Sequence, residues 1–337
     1  MPTDHPCASQ DETLKQLLSN ESEVSDIIVP IPGLRDFNFG VIIWALGAII
    51  PAGIVLNTIN CLIFSRLRRY NRGFCAPTGY LFHTLAIVDI LYLVLVFFIS
   101  FLPCAFLNIP GVPCLFLDYV KVRIMAERYV TMALEGVRMG ALWVFVVCLL
   151  ERIVAVHDPA RAPSVGICQC SLIVVFCSCL VWCVLDFVWT EILGIVLYNY
   201  KIWAFLITLG LPCVIICFTT IPLIFWLCAK RGSWHKYPPE LAEIQGAPCV
   251  TARCVATSAM VILFNVPLVV EKVIHVFMSL DIIKPSRFTE YIHAYELVAL
   301  LFICMLAAFK FIVYTASGED FRFELGCHKT RTDNENG

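Results

Sequence analysis

Residues 80–102 read YLFHTLAIVDILYLVLVFFISFL, a stretch whose one formal charge is Asp89. About 20 mostly apolar residues carry an α-helix across the roughly 30 Å hydrocarbon layer of a bilayer, so this stretch has the length and character of a membrane span. Working outward, comparable apolar runs lie at 41–64, 129–154, 168–189, 202–228, 254–278 and 296–315. Backbone amides in lipid must bond within their own segment, and these runs lack the alternation of barrel strands, so each is read as a helix. The composition agrees: of 337 residues, 60% are hydrophobic and 15% charged, with a mean hydropathy of +0.83. A soluble domain carries about 45–50% apolar and about 25% charged residues. The fold class expected is an all-α membrane protein, a seven-transmembrane helix bundle.

Three regions follow: a tail at 1–38, the bundle at 39–316 and a second tail at 317–337. The first tail is acidic, with Asp4, Asp11, Glu12, Glu21, Glu23 and Asp26, and has no apolar core of a signal peptide. The short loop after the first run holds Arg66, Arg68, Arg69 and Arg72 without an acid, which places it in the cytoplasm. Lys230, Arg231, Lys236 and Arg253, in the loop after the fifth run, agree; Lys121, Arg123 and Arg128 on the other side weaken the asymmetry. The N-terminus then faces outward in a plasma-membrane protein, and the sequon Asn20-Glu21-Ser22 becomes a glycosylation site. A net charge of -2 gives no footprint for nucleic acid. Most of the 18 cysteines, such as Cys168, Cys170, Cys177, Cys179 and Cys183, lie in apolar runs and read as small hydrophobes. No metal site and no cofactor are expected.

Charges inside spans are functional candidates by default, because each costs roughly 2.5–3.5 kcal/mol on insertion scales. Asp89 must be protonated, paired or bound to a cation. Lys310, in Phe309-Lys310-Phe311, has two readings: it snorkels to the interface, or it pairs inside. Glu151-Arg152-Ile153 closes the third run, an acid and a base able to pair in one state and part in another.

Leu56-Asn57, Leu85-Ala86-Ile87-Val88-Asp89, Glu151-Arg152-Ile153 with Ala155-Val156-His157-Asp158-Pro159, Trp182, Pro212, Pro267 and Tyr314 succeed one another through the seven runs. In order and spacing this resembles the rhodopsin-like G-protein-coupled receptors, over about residues 41–326. Phe264-Asn265-Val266-Pro267 and Phe311-Ile312-Val313-Tyr314, leading into Gly318-Glu319-Asp320-Phe321-Arg322, are similar to invertebrate receptors for FMRFamide-like and myosuppressin neuropeptides. The resemblance implies Arg152 as the G-protein contact, with Glu151, Asp89, Lys310, Asn265, Pro267 and Tyr314 as parts of the activation switch. Pro212 and Pro267 permit kinks.

Several positions depart from that pattern. The third-span cysteine of the family's outer disulfide is Glu127, and residues 190–201 hold no cysteine, leaving Cys7, Cys104 and Cys114 with pairings open. The seventh-span asparagine is Lys310 and the third-span serine of the sodium site is Ala141. Lys310 is therefore expected to replace a sodium ion and pair with Asp89.

A ligand pocket is expected among the outer halves of the third to seventh spans, where Glu135, Glu271 and Glu296, with Asp186 deeper, are the acids. A peptide ending in Arg-Phe-amide needs a carboxylate and an apolar wall, which makes Glu135, Glu271 and Glu296 the charge partners and Tyr291 and Tyr295 the aromatic ones. Each has a plainer alternative: Glu135 neutralises Arg138 at i,i+3, Glu271 and Glu296 face headgroups, and the tyrosines anchor the interface. Beyond the seventh span, Phe321 and Leu325 suggest a short amphipathic cytoplasmic helix, with Cys327 either palmitoylated or a free thiol.

The expectation is a receptor and transducer, not an enzyme, whose partners are an extracellular peptide, a heterotrimeric G protein and the bilayer. Retinal is disfavoured because Cys304 stands where its lysine is needed. A transporter or intramembrane enzyme using Asp89, Lys310 and His83, and a non-signalling scaffold, are the alternatives. Epitope tags on the two termini are expected on opposite faces of intact cells, the N-terminal one outside; antibody staining of both without permeabilisation would refute the seven-span reading.

Overall fold

The computed structural model describes residues 39–70, 76–102, 114–158, 164–188, 198–230, 248–279 and 289–317. Of the unit Met1–Val41 only the first turn of a helix is described, and the bundle belongs to the unit Ile42–Gly337. Every described element is helical, and among the described residues seven helices are long and apolar enough to cross a membrane. They are α1 (Phe39–Tyr70), α2 (Ala76–Val96, continued by a π turn Phe97–Phe101), α3 (Cys114–His157) and α4 (Val165–Phe187). In α5, Tyr198–Phe205 and Leu211–Lys230 are joined through the π turn Leu206–Gly210; α6 (Pro248–Ser279) and α7 (Thr289–Ser317) complete the bundle. The wider turn ends just before Pro212, whose missing N–H releases the carbonyls upstream from regular helical pairing.

Many large apolar side chains face outward, a second apolar set packs the interior, and the polar groups at depth lie inside. Trp44, Phe218, Phe225 and Leu180 are among the most exposed hydrophobics, while Asn57, Asn60, Asp89, Arg152, Asn265 and Lys310 are buried. Lipid around the bundle accounts for the exposed apolar set, since tails solvate Leu and Phe but leave polar groups to find partners inside. Side-chain hydroxyls obey the same constraint by bonding back one turn, as Thr58 does to the Ile54 carbonyl, Thr220 to Ile216, Ser258 to Cys254 and Thr315 to Phe311.

Helix α3 is the central post, packed on α2, α4 and α5, and α6 packs along α7. Small residues set the closest approaches. A Cβ at Gly136 would lie 2.6 Å from Cys183 Sγ, which joins α3 to α4. A Cβ at Gly53 would lie 2.7 Å from Leu93 Cδ1 and 3.1 Å from Ala308 Cβ, so α1 reaches both α2 and α7 there. Asn57, one turn on, donates to the carbonyls of Gly53 (2.9 Å) and Ala307 (2.8 Å).

The structure extends two of the expected spans. Helix α3 has 44 residues, about 66 Å at about 1.5 Å per residue, so its N-terminal part, with Lys121, Arg123 and Arg128, is helix and not loop. Polar residues end a hydropathy run without ending a helix. Likewise α6 begins at Pro248, and Arg253, expected in the loop, is fully buried within it. The tails, Asn20, Cys327 and the expected amphipathic helix lie outside the described residues. Gly53→Val should lower the melting temperature of the detergent-solubilised chain by the equivalent of about 1–3 kcal/mol of overpacking. Leu93→Ala in the same chain should recover part of it; an unchanged melting temperature would refute the close approach.

Candidate functional site

Three polar clusters sit in succession along the bundle interior. The middle one is an ion pair. Lys310 Nζ of α7 donates to both carboxylate oxygens of Asp89 on α2, at 2.8 Å each. Both residues are 4% exposed, so of the two readings of Lys310 the interfacial one is replaced by the internal pair. Two charges taken out of water repay their desolvation only in good geometry, and a lysine shared between both oxygens is such a geometry. A cavity of about 30 Å³ remains beside the pair, lined by Arg138, Phe145, Asn265 and Ala307 among others, room for about two waters at most. The Asn265 amide donates back to the Val261 carbonyl at 2.7 Å. Its Oδ1 is buried with no hydrogen-bond partner among the described residues.

Toward the end where α3 finishes, Glu151 and Arg152 are buried, at 4% and 0% exposure. Glu151 Oε2 accepts from Thr78 Oγ1 of α2 at 2.6 Å. Tyr314 is held by aromatic edges, with its ring 5.3 Å from Phe64 of α1 and 5.2 Å from Phe82 of α2. Arg253 of α6 is buried at the same end; from sequence it counted among the loop cations because the apolar run begins only one residue later.

At the opposite end, a cavity of about 410 Å³ is lined by Glu135, Trp182, Asp186, Phe205, Thr208, Glu271, Lys272, His275 and Glu296, among others. The three acids picked from sequence thus meet in one place, brought by α3, α6 and α7. Lys272 Nζ lies 3.1 Å from Glu135 Oε1 and 3.4 Å from Glu271 Oε1. His275 Nε2 lies 3.2 Å from Glu296 Oε1. Arg138 stands 3.8 Å from Glu135, so the local neutralisation expected at i,i+3 is the longer of Glu135's two contacts. Arg138 also lines the small cavity beside Asp89, which makes it the side chain common to both clusters. Glu271 is buried, which places it inside and not among headgroups.

Tyr295 is half-buried and outside the cavity lining; the side chain of Tyr291 lies outside the described residues. Lys272 and His275 were not picked out from sequence. The signal was there, a Glu271-Lys272 doublet with a histidine four residues after the acid, but neither stood out without the facing helices. Pro267 lies inside α6 between the cavity and Asn265.

A search against models of known protein families finds none that matches the chain, and no curated protein matches it. Function is therefore inferred from these residues and their geometry. Asp89→Asn and Lys310→Met are each expected to leave a buried charge unpaired and cost about 3–5 kcal/mol. The double variant should recover much of the loss. Thermal melts of the four proteins in detergent check this, and two single losses that simply add would refute the pair.

Proposed function

We propose that the chain is a seven-helix receptor of the G-protein-coupled class in the plasma membrane, with its N-terminus outside, its ligand an extracellular peptide and its effector a heterotrimeric G protein. The observation that supports this most is the ionic cavity at one end of the bundle, set against the buried Glu151-Arg152 doublet at the other. The resemblance of the span motifs to rhodopsin-like receptors points the same way, and within it to FMRFamide-like neuropeptides.

The cavity favours a basic, aromatic ligand. Among the described residues its lining holds four carboxylates, Glu135, Asp186, Glu271 and Glu296, and the ammonium of Lys272. Trp182 and Phe205 supply an apolar wall. A guanidinium from an Arg-Phe-amide terminus has carboxylates to bind, and the ring has a surface to cover.

Arg138 offers a route for the signal. A ligand cation that takes Glu135 weakens its hold on Arg138, whose guanidinium then competes with Lys310 for Asp89. Asp89, Asn265 and Lys310 line one small cavity, so a change there bears on α2, α6 and α7 together, two residues from Pro267 of α6. The ligand acts by preferring one of two packings, and its effect is bounded by its difference in affinity for them. A transporter would need an aqueous path through the centre, and the space left beside the ion pair is about 30 Å³. The chain is proposed as a receptor and not an enzyme.

Cells expressing the chain, screened with amidated neuropeptides and read by second messenger, should respond to a peptide ending in Arg-Phe-amide. Glu271→Gln should shift its dose response about 10- to 100-fold, the worth of a charge-assisted hydrogen bond. Arg152→Ala should abolish the response with binding kept, and Arg138→Gln should uncouple binding from signal. No response to any peptide at normal surface expression would overturn the reading in favour of a scaffold, and substrate flux across proteoliposomes in favour of a transporter.

A further inference from the structure

The cavity holds a second arrangement, in which His275, unused by the peptide reading, stands with two of that reading's acids. Glu271 and His275 stand four residues apart on α6, on one face, and Glu296 of α7 comes to them from across the helix pair. One donor atom from each, two carboxylate oxygens and an imidazole nitrogen, lie within 4.8 Å of one another. We propose that Glu271, His275 and Glu296 form a binding site for a divalent transition-metal ion of the zinc type, where none was expected from sequence.

The chemistry of the donors selects the metal. Zinc takes imidazole nitrogen at about 2.0–2.1 Å and carboxylate oxygen at about 2.0–2.2 Å in tetrahedral geometry. Two donors of such a site are therefore separated by about 3.4 Å. The His275 Nε2 to Glu296 Oε1 distance is 3.2 Å, so one edge of the tetrahedron already exists and the ion replaces the proton between them. Only the Glu271 oxygen has to close, by rotation of a side chain on the same face of α6. Calcium and magnesium require six or more oxygens and gain nothing from an imidazole.

Around the cavity the carboxylates of Glu135, Asp186, Glu271 and Glu296 face Lys272, with Arg138 behind Glu135. Lys272 is the resident competitor, at 3.4 Å from Glu271 and 3.1 Å from Glu135. The ion takes Glu271 and leaves Lys272 its shorter contact. Since all three ligands line the cavity, the fourth coordination position is open to water or to a donor atom from a ligand. The ion ties α6 to α7 at the mouth of the bundle, on the far side of Pro267 from the Arg152 end.

The test uses the full chain in detergent micelles with Zn²⁺ alone as probe, so its outcome is independent of any peptide or G protein. Equilibrium dialysis against buffered Zn²⁺, followed by elemental analysis, is expected to give one more bound ion per chain for the wild type than for His275→Ala. Glu296→Gln, on the other helix, should weaken binding at least about tenfold, as loss of a ligand costs no less than loss of an outer-sphere partner. Zn²⁺ should raise the melting temperature of the wild type and not of His275→Ala. Co²⁺ in the same site should lack thiolate charge-transfer absorption, which separates it from the cysteines. Equal metal uptake by wild type and both variants, or a thiolate spectrum removed by neither substitution, would overturn the proposal.

Discussion

An ammonium and a carboxylate, held 2.8 Å apart and out of contact with solvent between α2 and α7, are the interaction on which the interior depends. In hydrocarbon, neither charge has water to return to, so the position of one helix fixes that of the other. The amide of Asn57 adds α1 by bonding the Ala307 carbonyl, one turn from Lys310. Asn265 of α6 and Arg138 of α3 complete the lining of the adjoining space. Five of the seven helices therefore meet at one polar centre, and the apolar packing around it is built on small residues such as Gly53 that let backbones approach.

Such a centre has two properties at once. Fully paired, it rigidifies the bundle; approached by a competing charge, it has another arrangement available, because each member is worth more to its neighbours in a low dielectric than in water. Arg138 is the group placed to compete, with Glu135 on one side and the Asp89 cavity on the other. Unlike a bound cation, Lys310 is covalently part of the chain and cannot dissociate from Asp89 by diffusing away.

Much of this was legible before any coordinates. Asp89 announced itself as a lone charge in an apolar run, and Lys310 was expected to stand in for a cation beside it. The acids Glu135, Glu271 and Glu296 were chosen by depth in their spans, and they do converge. Missed were the groups that come from a neighbouring helix: Lys272 between Glu135 and Glu271, His275 against Glu296, and Thr78 on Glu151. Their roles depend on how far each helix is rotated about its axis, and the nearly uniform apolar character of these spans leaves that rotation unmarked. The N-terminal extension of α3 and the burial of Arg253 were missed for a related reason, since hydropathy marks where lipid ends and not where a helix does.

By itself, the sequence determined that the chain is helical, that it has seven segments able to cross a membrane and which ionisable residues lie at depth, because the transfer of charge and bare backbone into hydrocarbon is costly enough to leave a visible pattern in composition. Only the tertiary structure decided who partners whom. Hydrophobicity is non-directional, so it sets which segments enter the bilayer, whereas hydrogen bonds and ion pairs reach about 3 Å and are fixed only when helix rotation and register are fixed.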